Sequence, residues 1–139
     1  VIRFNKDAVN NVVVTLTENA TTANPIYLFK FVNQQSNVDY YFTATDLSTF
    51  KERYNQFSIT EKTSANTLNG EVELDEEGFY NYFAYQTSLT TLSGLTTASQ
   101  MVPYIVKEVE NGLVWVVPSA VVNSTYTPQS DTSIIYQPE

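Results

Sequence analysis

The chain lacks cysteine and histidine entirely. Without cysteine there is no disulfide scaffold, no zinc-thiolate cluster and no thiol nucleophile. Without histidine there is no Ser-His-Asp triad, no imidazole metal ligand and no histidine switch near neutral pH. Positive charge is scarce: seven Lys and Arg stand against fifteen Asp and Glu, for a net charge of −8 and a pI near 4.3. Such a surface repels a phosphate backbone, so nucleic acid is not an expected partner. No apolar run reaches the 18 residues that a membrane helix needs. Val1-Ile2-Arg3-Phe4-Asn5-Lys6 has none of the 7–15-residue apolar core of a signal peptide, although a segment removed earlier would leave no trace here.

What remains is aromatic and β-prone. Ten Tyr, eight Phe and one Trp make up 14% of the 139 residues, and charged residues are only 16%, against about 25% in ordinary proteins. Thr, Asn, Ser and Gln dominate the polar residues. Thr and aromatics suit a pleated surface, whereas Asn, Ser and Gly supply turns.

Period-two patterning predicts a series of short strands. In Asn11–Thr17, Val12, Val14 and Leu16 share one face. Ile26–Val32 follows the turn signal Asn24-Pro25 and is largely apolar on both faces. Asn33–Asn37 then makes a hairpin loop, and Val38–Thr45 returns with Val38, Tyr40, Phe42 and Ala44 on one side. Asp46–Asn55 admits two readings: a short helix capped by Asp46, with Leu47, Phe50 and Tyr54 on one side, or a long connection pinned by Phe50 and Tyr54. Gln56–Glu61 reads as a strand with Phe57 and Ile59 inward, and Glu71–Leu74 as another that follows the turn signal Asn69-Gly70. Asp75–Gly78 is a turn before Phe79–Tyr85, which is aromatic on both faces and so a central strand.

From Gln86 to Val102 the pattern dissolves into Thr, Ser, Leu and Gly. Tyr104–Val109 and Leu113–Val117 then read as a second hairpin across Glu110-Asn111-Gly112, because Asn-Gly is the strongest short turn signal. Seven or eight strands at this rhythm predict an all-β fold, an antiparallel β-sandwich that is immunoglobulin-like without a Cys pair; a small barrel is the alternative. The sandwich is assigned to residues 1–118. Residues 119–139 are assigned to an extended C-terminal arm, whose Tyr126, Ile134, Ile135 and Tyr136 are the candidate interface residues.

Motifs that carry chemistry are sparse. Glu71, Glu73, Asp75, Glu76 and Glu77 invite a calcium or a glycosidase reading, but no EF-hand spacing is present, and alternation with Val72 and Leu74 puts the acids on a solvated face. Ser48-Thr49-Phe50-Lys51 matches S-x-x-K without its partner motifs. No catalytic, cofactor or metal residues are assigned, and the chain is expected not to be an enzyme. The aromatics read either as core or as a sugar-stacking platform. Strands apolar on both faces need cover on both, from a neighbouring subunit or from the chain's own loop and arm.

The block Glu71–Tyr82, in which an acidic-Gly turn leads into Gly78-Phe79-Tyr80-Asn81-Tyr82, resembles a pattern in small virion proteins of tailed bacteriophages, the crAss-like group among them. Val109–Val116 resembles a closing hairpin of the same family. Val13–Glu18, Asn24–Phe29 and Arg53-Tyr54-Asn55 are similar in style, so the resemblance spans residues 11–117. It implies a structural subunit present in many copies per particle: an auxiliary or decoration protein bound to the major capsid protein or other virion proteins. A tail, neck or fibre-base subunit is the near alternative. A secreted carbohydrate-binding sandwich remains as a reading from a different class.

Overall fold

The computed structural model describes residues 2–22 and 25–117. Their backbone forms eight strands: β1 (Ile2–Asn5), β2 (Val9–Val14), β3 (Tyr27–Asn33), β4 (Asp39–Phe42), β5 (Asn55–Glu61), β6 (Glu71–Val72), β7 (Gly78–Thr87) and β8 (Ile105–Val117). Five of them make one sheet in the order β1-β8-β7-β3-β4, and β2-β5-β6 make the other. The all-β sandwich expected from the strand rhythm is therefore present. It is not purely antiparallel, because β1 runs parallel to β8 and β5 parallel to β6. The arm residues Tyr126, Ile134, Ile135 and Tyr136 lie outside the described residues.

Alternation sorts one side of each strand into a shared interior. Phe29 and Phe31 of β3 meet Phe42 of β4 and Phe57 of β5, with Phe29 and Phe57 edge to face at 4.8 Å and Phe31 and Phe42 at 5.0 Å. Each such pair adds about 0.5–1.5 kcal/mol beyond its burial. Phe4 of β1 is fully buried and abuts Phe31 at 5.6 Å. Val12, Leu16 and Ile59 close the same core, as their sequence pattern predicts.

A second cluster lies on the opposite face of the larger sheet. Leu28 points away from the main core and is covered by Ala98 and Met101, with Tyr41 and Tyr85 packed around them. Ala98 and Met101 belong to a 3-10 helix, Ala98–Tyr104, in the Thr/Ser-rich stretch where periodicity fails. The chain's own loop thus covers one end of a sheet whose strands are apolar on both sides.

Two local expectations are corrected. Asn111-Gly112 is not a turn: β8 passes through it as one 13-residue strand, with Gly112 opposite Tyr82 and Asn111 opposite Phe83. The glycine serves a close approach, since a Cβ there would lie 2.7 Å from Tyr82 Cε1. Asp46–Asn55 contains no helix. It is a connection, but Phe50 does not pin it, being 61% exposed. Asp46 holds it instead: Oδ1 accepts from the Ser48 and Gln56 amides, and Oδ2 from Asn55 Nδ2 at 2.6 Å. Buried Asn55 in turn accepts from the Leu16 amide at 2.7 Å. A polar clamp replaces the aromatic one.

Candidate interaction face

The strand register places the outward side chains of the larger sheet in rows. One row runs Arg3–Trp115–Phe79 across β1, β8 and β7. The next runs Leu113–Asn81–Val32 into β3, and a third runs Phe83–Lys30–Tyr41 into β4. The following pair, Tyr85 and Leu28, lies under the 3-10 helix and its approach. One end of the face is therefore closed by the chain itself and the other is open.

The open end carries large apolar groups. Phe79 is 51% exposed, and Trp115 and Leu113 are each 42% exposed. The Phe79 and Trp115 rings stack at 6.2 Å with 20° between their planes. Arg3 Cζ stands 5.5 Å from the Trp115 ring, within cation–π range. Lys30 Nζ lies 5.7 Å from Phe83 and 5.9 Å from Tyr41, and 3.9 Å from Asp39 Oδ2. This salt bridge is the one ion pair among the described residues. Being partly exposed, it contributes little stability. Single exposed apolar residues are ordinary, and here Phe79, Trp115 and Leu113 stand together on one sheet face.

The sheet edges are less available than the strand pattern suggests. Asn10 Oδ1 accepts from the Asn5 amide and Asn10 Nδ2 donates to the Asn5 carbonyl, which occupies part of the β1 edge. Beyond β4, the Thr43 amide donates to the Thr67 carbonyl, and the Gly70 amide donates to the Thr43 carbonyl. Bonds of this kind blunt an edge against further pairing. The open aromatic face is the freer surface.

The other sequence candidates have local roles. Glu71 accepts from the Asn66 amide and Glu73 from the Ser64 amide, fastening the turn between β5 and β6. Glu76 accepts from the Ser36 hydroxyl. β5 and β6 are parallel, so Glu71 and Glu73 brace a crossing connection and not a tight turn between antiparallel strands. Among the described residues, no three Asp or Glu side chains converge as metal ligands. Ser48 Oγ accepts from the Phe50 amide. The Tyr27 hydroxyl has no hydrogen-bond partner among the described residues. Tyr27 lines a cleft of 240 Å³, a volume that accommodates water.

Electrostatics behind the face set an alkaline limit. Burial pushes the Tyr80 phenol up to about 12. Burial also raises Tyr82, helped by the adjacent Glu110 carboxylate that accepts a hydrogen bond from its hydroxyl. In the unfolded chain both titrate near 10. Above that pH the unfolded state releases protons that the folded state still holds, so stability falls as pH rises from 10 toward 12 and is fully present below 10. Denaturant midpoints are expected to be level from pH 7 to 9 and to drop past about pH 10. A midpoint that stays level through about pH 11 would contradict this assignment.

No protein-family profile matches the sequence, and no curated protein matches it. A solved structure from Bacteroides vulgatus ATCC 8482, whose name assigns it by inference as a glycoside hydrolase, aligns over 85% of this chain. The alignment spans 16% of that protein, with 11% identity and a TM-score of 0.41. A likeness this slight carries no conclusion about fold or function.

Proposed function

We propose that the chain is a non-enzymatic structural subunit of a tailed-phage virion, an auxiliary or decoration protein on the capsid exterior that works by contact with neighbouring protein subunits. The observation that carries this reading is the open row Arg3–Trp115–Phe79, on a sheet whose other end the chain covers itself. Trp and Arg are the residues most enriched at the energetic centres of protein interfaces. The resemblance of Glu71–Tyr82 to small virion proteins supports the same reading. The net charge of −8 favours a position away from packaged DNA.

The test is composition and cryo-EM localisation of purified particles. Many copies on the capsid exterior are expected; absence from particles overturns the reading, and density confined to the tail or neck replaces the capsid position with the tail one. The nearly parallel Phe79 and Trp115 rings are the feature that favours a carbohydrate-binding alternative. Glycan binding that is lost in Trp115→Ala would establish that alternative in place of the virion role.

A further inference from the structure

We infer that the open face pairs with the same face of a second copy, about a two-fold axis running along β8. This deepens the contact role proposed above and rests on it. Arg3 and Phe79 sit in one row on either side of Trp115, each about 4.8 Å from it across the strands. A two-fold along β8 therefore lays Trp115 on the partner's Trp115 and Leu113 on the partner's Leu113. It also brings Arg3 over the partner's Phe79, within reach of the partner's Glu77, two residues earlier in the chain. The contact is isologous, so each pair forms twice.

Charge decides for a second copy. Arg3 and Glu77 are both exposed, and neither belongs to an ion pair among the described residues. They stand on opposite flanks of the Trp115 row, which is the arrangement a reciprocal pairing requires. A chain of net charge −8 repels its own copies over most of its surface. On this face Arg3 and Lys30 stand beside aromatic rings, and Asp39 is the acid that pairs with Lys30. Shape is compatible as well. β1 covers only Val114–Val117 of β8, so the loop standing proud of one copy has room beside β8 of the other.

The test is sedimentation velocity of the full chain over a concentration series, with emission of Trp115, the chain's single tryptophan, followed in parallel. A monomer–dimer equilibrium with a blue-shifted dimer is expected. Arg3→Glu and Glu77→Arg are each expected to weaken the dimer at least about tenfold, because each sets like charges across the interface. The combined charge swap is expected to return to within about threefold of the unchanged chain, which damage to folding would not do. A folded monomer at every concentration, species larger than a dimer, or a swap that restores nothing would each overturn the inference. A monomeric chain still found on particles would leave the virion role standing while removing the dimer. A dimer absent from particles would do the reverse.

Discussion

Replacing Glu61 with alanine is expected to lower the unfolding free energy by about 3–5 kcal/mol, the largest effect of any polar substitution considered for this chain. The carboxylate is 3% exposed. Oε1 accepts from the Asp7 amide and Oε2 from the Leu74 amide, both at 2.8 Å. One side chain on β5 thus fastens the turn between β1 and β2, where Asp7 holds a φ of 56°, to the segment leaving β6. Hydrogen bonds to a charged acceptor contribute about 1.5–3 kcal/mol each, and truncation also strands two amides with no acceptor. Glu61→Gln keeps one good acceptor and is expected to lose about half as much. Denaturant unfolding of the two variants measures this directly. A loss below about 1 kcal/mol for alanine would show that water replaces the carboxylate, and the site would then be less closed than its burial indicates.

Gly112→Ala carries a prediction of unusual sign. Glycine inside a strand is normally a weakness, and alanine there gains about 0.5–1 kcal/mol. At this position the new Cβ meets Tyr82 Cε1 at 2.7 Å and its Cζ and hydroxyl oxygen at 3.2 Å. The ring is buried and its hydroxyl is tied to Glu110, so shifting it strains both its packing and that bond. Overpacking of this kind is expected to cost about 2 kcal/mol. In a Tyr82→Leu background the clash is gone, and the same substitution is expected to become neutral or stabilising. A coupling of about 1–3 kcal/mol in that cycle supports the close-approach role. Purely additive effects would leave Gly112 without a reason to be glycine.

This glycine also marks where sequence reading and structure part. Asn111-Gly112 carries the strongest local turn signal in the chain, yet long-range pairing with β7 overrides it; that pairing is invisible until Tyr82 is known to lie opposite. The alternation of Val12, Val14 and Leu16, the β3–β4 hairpin and the central place of Phe79–Tyr85 were legible because burial on a pleated face has a fixed period of two. β1 was missed because four residues, only some of them apolar, establish no period. Asp46–Asn55 misled because its aromatics suggested anchorage, whereas hydrogen bonds to Asp46 supply it. Leu89, Leu92, Leu95, Ala98 and Met101 follow one another at intervals of three and pack together in the second cluster. That spacing, natural to 3-10 and turn-rich backbone, was the available signal in a stretch that looked patternless. Trp115 and Phe79 were visible as aromatics, but their shared row emerges only from the register of three strands. Expecting cover for both sides of the central strands was sound, and the loop after β7 provides part of it.

The partnership of β1 with β8 has a consequence for how this protein is made. During synthesis the first strand leaves the ribosome without the strand it will lie beside, and Phe4 waits exposed until nearly the whole described chain has emerged. Completion of the larger sheet thus waits until β8 has emerged, a slow, topologically distant closure. In the interval a nascent chain rich in phenyl rings depends on its abundant Thr, Asn and carboxylate groups, and on whatever chaperones attend it, to remain unaggregated.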